Sequence, residues 1–274
     1  MAAACAIGST AVQLFLRAPG RWAAGALADG EVERFHAASG RLGGPSFAHA
    51  PYLLNLASSD DTLRRRSIAT LAEELRRAEL LGIAGVVLHP GSAVGGRRSQ
   101  GEARCRDALR RAVDVAAAPG VPVLLEVTPG AGGQLGRTPV ELGRLAPGPM
   151  RRHVGLCLDT AHLWGGGFDL LKGGWGALLD EVRDEWGLDA VRLIHANDTA
   201  VECGSRRDRH APPGDGLLGV TFFRRMLAEE CLAAVPVVVE IPPGEHNELA
   251  RRVVARLRRW QRPPHRRGAS TPSH

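Results

Sequence analysis

The chain has 274 residues, enough for one large α/β barrel or two small domains with a sizeable core. Hydrophobic residues make up 44% and charged residues 23%, the balance of a soluble globular protein, and no apolar run is long enough to cross a membrane. The net charge of +6 and a pI near 9.7 favour a polyanionic partner such as nucleic acid, although an Arg-, Ala- and Gly-heavy composition with Lys172 as the only lysine also follows from GC-rich coding.

The opening MAAACAIGST has neither the basic nor the apolar region of a secretory signal. The five cysteines (Cys5, Cys105, Cys157, Cys203 and Cys231) are odd in number, scattered and free of any CxxC pair. That pattern argues for a reducing, cytoplasmic setting and against a disulfide frame or a thiolate zinc site.

In chain order the pattern predicts a strand over 12–16, a helix over 31–38 and a strand over 46–50. A long helix over 60–81, opened by Asp60, leads to a strand over 85–89. A helix over 102–118 is stopped by Pro119-Gly120 before a buried strand over 121–127. Then come a short helix over 139–145, a strand over 154–159, a helix over 170–186, a strand over 191–196, a helix over 221–231, a strand over 235–241 and a last helix over 245–258. Repeated βα units imply a parallel sheet, and continuously apolar strands imply one covered on both faces. An open doubly wound sheet would gather its site at one switch point. Here polar residues end almost every strand, which suits the C-terminal mouth of a TIM-type barrel. The count is seven strands where such a barrel has eight. The expectation is therefore a (β/α)8-type barrel lacking its first strand and helix at the N-terminus, one domain over 1–260, followed by a disordered basic tail over 261–274.

The strand ends carry the chemistry. They read His49, His89, Glu126, Asp159 followed by His162, then His195, with Asp208 and His210 in a loop and Glu240 at the end of the last strand. Each has an ordinary alternative. His89 in HPG suits a loop, Glu126 and Glu240 could pair with arginines, Asp159 could cap a helix, His195 could be a core histidine, and Asp208 and His210 could be solvated. The weight lies in the set, because all nine fall at a strand end or an adjacent loop. Imidazoles and carboxylates are zinc ligands, and nine exceed one tetrahedral ion. Carboxylates can bridge, so two or three metals are implied, and metals about 3.5–4 Å apart can activate water and stabilise an in-line phosphoryl displacement. His36, His153 and His246 read as structural or surface, and the cysteines as core or surface thiols. The glycines at 130–136 and 165–167 lack a phosphate-binding pattern and read as turns.

These residues sit in motifs that resemble the endonuclease IV family of zinc-dependent apurinic/apyrimidinic endonucleases. The segments are AHAPYLLNLAS (48–58), LHPGS (88–92), LLEVTPGAGGQLG (124–136), GLCLDTAHLWGGGFDL (155–170), LIHANDT (193–199), GSRRDRHAPPGDGLLG (204–219) and VVVEIPP (237–243). They occur in family order over roughly residues 11 to 260. The resemblance implies a xylose-isomerase-like barrel with three zinc ions. His49, His89 and Glu126 would hold the first. Glu126 would bridge to a second held also by Asp159, His195 and Glu240. His162, Asp208 and His210 would hold the third. Glu126 and Glu240 are the implied catalytic carboxylates. The implied activity is hydrolysis of the phosphodiester on the 5′ side of abasic sites in double-stranded DNA, with trimming of blocked 3′ ends, by a monomer. Tyr52 and Leu53 are placed on a loop probing the minor groove, where an apolar wedge fills the gap left by a flipped nucleotide. RAPGRW (17–22) resembles a second DNA-contacting loop, with Gly20 where the family commonly has arginine and Arg21 as the substitute. The HxSxxGG-like opening of the family is not found. Two other readings stand beside this one: a metal-dependent sugar isomerase or epimerase of the same barrel class, which uses fewer ligands, and a non-catalytic binder of abasic DNA.

Overall fold

The computed structural model describes residues 1–242 and 244–261. Short apolar runs form strands at β1 (Val12–Leu14), β2 (Ser46–His49), β3 (Val86–Leu88), β4 (Val123–Glu126), β5 (Val154–Asp159) and β6 (Val191–His195). A small antiparallel ribbon of β7 (Asp198–Thr199) and β8 (His210–Ala211) follows, and then β9 (Val237–Val238). All but the ribbon make one parallel sheet in the order β1-β2-β3-β4-β5-β6-β9. Sequential neighbours joined by crossover helices are the signature of a barrel. The sheet is nearly closed. Between its two outer strands lies an apolar groove of about 890 Å³, lined by residues from Ala11 to Phe15 on one side and from Val235 to Ile241 on the other.

The helices are α1 (Ala2–Ala6), α2 (Glu31–Leu42), α3 (Asp61–Leu80), α4 (Arg98–Ala116), α5 (Pro139–Gly143), α6 (Thr160–Gly166), α7 (Trp175–Glu185), α8 (Gly219–Met226) and α9 (Glu248–Gln261). Asp60 caps α3 by accepting the Thr62 and Leu63 amide protons, as its sequence position implied. A large apolar cluster between sheet and helices, including Leu71, Leu75, Leu109, Leu125, Leu156 and Phe223, holds the layers together. A smaller cluster of Phe47, Val87, Leu124, Cys157, Leu193 and Val238 fills the barrel interior.

The seven expected strands all form, and several boundaries shift for local reasons. The last strand shrinks from 235–241 to two residues, because β6 alone pairs with it. The helix expected over 170–186 breaks at Lys172 and Gly173, the latter at φ 86°, and restarts at Trp175. α4 starts four residues early, where Gly101 lets the helix pack directly on Ala93. α1, α6 and the β7–β8 ribbon are not among the elements expected from the sequence. The tail expected over 261–274 lies outside the described residues except for Gln261, which ends α9, and so does Pro243 of the VVVEIPP segment. Among the described residues no helix is long and apolar enough to cross a membrane.

Candidate metal centre

Side chains on a strand alternate in direction, so a residue two places beyond an interior residue points the same way one layer higher. From the interior cluster Phe47, Val87, Leu124, Cys157, Leu193 and Val238, that step gives His49, His89, Glu126, Asp159, His195 and Glu240. Six of the expected ligands thus form one polar layer resting on an apolar floor. The other three come from connections. Asp159 caps α6 by accepting the His162 amide proton on Oδ1 at 2.8 Å, which places the His162 ring in the first turn beside the strand end. The cap and ligand readings of Asp159 are therefore compatible, because its Oδ2 still faces the cluster. His210 is held on the β7–β8 ribbon, in which Thr199 pairs with it, and Asp208 lies two residues before it.

Glu126 is the hub. Its Oε2 lies 3.1 Å from His49 Nε2 and 2.8 Å from His89 Nε2. Its Oε1 lies 3.0 Å from His195 Nδ1 and 3.2 Å from His162 Nδ1. Asp208 spans His162 Nε2 at 3.2 Å and His210 Nε2 at 3.0 Å. Donor atoms converge in groups: His49, His89 and Glu126; Glu126, Asp159, His195 and Glu240; and Asp159, His162 and His210, each with all atoms within 4.8 Å of one another. All nine expected ligands are brought together.

These groups fit metal ions better than they fit one another. His89 Nε2, His162 Nε2 and His210 Nε2 are buried and close to a carboxylate oxygen, yet none makes a well-directed hydrogen bond. Nitrogen and oxygen lone pairs aimed at a shared third point give that geometry. The electrostatics agree. Burial opposes charge on His162 and His195, but neighbouring acids outweigh it and raise both well above the usual imidazole range. Burial likewise opposes ionisation of Glu126, and the His89 and His195 charges overcome it, holding the carboxyl well below its usual range. A cluster that so strongly favours carboxylates beside cations can hold metal ions in place of protons. Cys157 is also within reach of His195 and Glu126. Burial pushes its thiol up to about 12.

The expected DNA-contact residues lie on the loops that follow β1 and β2. Tyr52 is 71% exposed, Leu53 is half-buried and Arg21 is exposed. The two loops meet: a Cβ on Gly20 would lie 3.5 Å from the Tyr52 hydroxyl. Phe15, 5.8 Å from the His49 ring between centroids, is a further exposed apolar group there.

Polar supports around the ligands escaped the sequence reading. Asn197 donates to Asp159 Oδ2 at 2.6 Å and to Glu240 Oε2 at 3.2 Å, while its Oδ1 accepts from the Glu240 amide at 2.8 Å. The buried Asp198 carboxylate accepts from the backbone N–H of Thr199, Gly214, Gly216, Leu218 and Gly219. It folds the chain after His210 around itself, and a Cβ on Gly216 would come within 2.5 Å of it. Gln13 touches both His195 and Glu240. The available signals were the ND pair after His195 and the place of Gln13 two residues past Ala11, which packs on the interior cluster.

The xylose isomerase-like TIM barrel family model matches residues 1–260. A protein of Nitratidesulfovibrio vulgaris named "Probable endonuclease 4" is 36% identical over 93% of this chain and 92% of its own. One of the same name from Oleidesulfovibrio alaskensis is 41% identical over 93% and 87%. The chain belongs to the endonuclease IV family. The crystal structure of endonuclease IV from Thermus thermophilus superposes with a TM-score of 0.80 at 34% identity, covering 93% of this chain and 92% of that one. A D-tagatose 3-epimerase-like protein, at a TM-score of 0.68 and 18% identity, shares the fold alone.

Proposed function

We propose that the chain is a DNA-repair endonuclease that hydrolyses the phosphodiester on the 5′ side of abasic sites and trims blocked 3′ ends, using three zinc ions. The observation that carries the reading is the division of Glu126, with one oxygen toward His49 and His89 and the other toward His195 and His162. A carboxylate so placed suits a bridge between metals. His49, His89 and Glu126 would hold one zinc, Glu126, Asp159, His195 and Glu240 a second, and His162, Asp208 and His210 a third. When bound, the ions would supply Lewis acidity toward phosphate oxygens and lower the pKa of a water molecule.

The residues divide the remaining work by exposure. Glu126 is sealed in the barrel and serves as a fixed scaffold. Glu240 keeps 26% of its side chain exposed, so its carboxylate can orient the attacking water. Tyr52 and Leu53 would enter the duplex beside the lesion, where flipping is easiest because base pairing is already lost. Arg21 and the net charge of +6 favour the phosphate backbone. We assign the protein to the cytoplasm and to a monomeric state.

The test is cleavage of a duplex carrying one abasic site. The zinc-loaded chain should cut it without added magnesium, leaving a 3′-hydroxyl and a 5′-deoxyribose phosphate, should lose activity to a strong chelator and should regain it with zinc. An intact duplex in the presence of folded, zinc-loaded protein would sink the reading. A single metal ion per chain would favour a sugar epimerase of the same fold, for which the His162, Asp208 and His210 group has no use.

A further inference from the structure

Strand β1 supplies none of the nine ligands, yet its inward face reaches their layer. Ala11 packs against the interior apolar cluster, and Gln13 stands two residues beyond it on the same face. Gln13 therefore occupies the place in β1 that His49, Glu126 and His195 occupy in their own strands. Its Oε1 lies 2.7 Å from His195 Nε2, and its Nε2 donates to Glu240 Oε1 at 2.7 Å.

The amide can face only one way. A carboxylate accepts but does not donate, so the NH2 group belongs to Glu240 and the carbonyl to His195. His195 Nε2 must then carry the proton. That leaves the lone pair of the neutral ring on Nδ1, which faces Glu126 Oε1 at 3.0 Å, Glu240 Oε2 at 3.2 Å and Asp159 Oδ2 at 3.7 Å. A metal-binding imidazole needs this tautomer, set by a partner on its far nitrogen. Glu240 needs help for a different reason. It lies past the end of a two-residue strand at the sheet edge. Its two oxygens receive one amide proton each, from Gln13 on Oε1 and from Asn197 on Oε2.

We propose that Gln13 is a positioning residue for the metal held by Glu126, Asp159, His195 and Glu240, fixing the His195 tautomer and tying Glu240 across the gap between β1 and β9. The proposal rests on the metal reading above. The side-chain bridge joins the two outer strands of the sheet at the level of the ligands, 227 residues apart in sequence.

The test uses the full chain loaded with zinc, and separately with cobalt(II), as wild type, Gln13→Met and Gln13→Glu. Methionine keeps the length and removes both hydrogen bonds. Glutamate keeps an acceptor for His195 and turns a carboxylate toward Glu240. Both variants should release one zinc at a chelator concentration about 10- to 100-fold below that needed for wild type, with the other two retained. The cobalt-loaded variants should show an altered visible spectrum, which a packing defect away from the ligands would not produce. Circular dichroism of the metal-free forms separates metal loss from unfolding, and if Gln13→Met does not fold, the near-isosteric Gln13→Glu decides. Wild-type chelator resistance together with a wild-type cobalt spectrum in a folded variant would overturn the role of Gln13. Wild-type protein that takes up no zinc would overturn the metal reading itself, a separate result.

Discussion

The barrel has two unlike sides. From β2 to β5 every strand residue is buried, and each strand is paired on both edges. At β1 and β9 the strands have three and two residues, each pairs on one edge among the described residues, and an apolar groove separates them. Most of the proposed metal ligands stand on the closed side. Among the described residues, Glu240 is the one proposed ligand that follows an outer strand, and Gln13 and Asn197, which are not proposed ligands, bond both of its carboxylate oxygens and its backbone amide. Where backbone pairing positions a residue, the strand suffices. Where pairing is missing, side-chain amides take over, at the greater risk that one substitution releases the residue.

The sharpest test of the closed side is its hub. Glu126→Gln removes the charge shared by four imidazoles while leaving shape and fold intact. Activity on abasic DNA should fall by at least about 10³-fold, and metal analysis should show fewer zinc ions per chain. Unchanged metal content would mean that the groups do not share Glu126. On the open side, the loop after β1 hangs on a buried ion pair. Arg17 bonds Glu74 and Glu73 of α3 and the Trp22 carbonyl, and Arg66 stacks over the Trp22 ring at 4.5 Å. Arg17→Met leaves Glu74 buried without its partner, and should cost about 3–5 kcal/mol in urea unfolding. A cost under about 1 kcal/mol would mean that the open side does not depend on such ties.

Asp198 extends the comparison to the ribbon carrying His210. Asp198→Asn keeps the shape but loses charge and acceptor capacity facing five backbone N–H groups, and should cost about 2 kcal/mol. The zinc assigned to His162, Asp208 and His210 should be the first released to chelator. Release of a different metal first would separate the ribbon from that site.

The sequence made the closed side legible because one periodicity governs it. Phe47 to His49, Val87 to His89, Leu124 to Glu126 and Leu193 to His195 each pair a core residue with a ligand two places on, so a strand assignment is also a site assignment. His162, Asp208 and His210 were legible as metal-type residues in adjacent loops, but their grouping came only from motif resemblance, since their positions depend on a helix cap and a ribbon that periodicity does not show. Gln13 obeyed the strand rule but carries an uncharged amide, which a search for metal-type residues passes over. Asn197 and Asp198 were hidden by tertiary wiring: their partners, Glu240 and the 214–219 turn, lie far along the chain.

The smallest effect makes the most direct comparison, because it uses the same substitution on both sides. Val123 in β4 is fully buried between paired strands, whereas Val237 in β9 is half-buried beside the groove. Val→Ala removes two methyl groups. At Val123 their lost burial and the cavity left in a packed core should cost about 2 kcal/mol. At Val237 part of that surface already meets solvent and the edge strand can relax into the gap, so the cost should stay below about 1 kcal/mol. Urea midpoints of the two variants at constant slope measure the difference. Equal costs would mean that β9 is as tightly packed in solution as β4, and the contrast between the two sides would then rest on strand pairing alone.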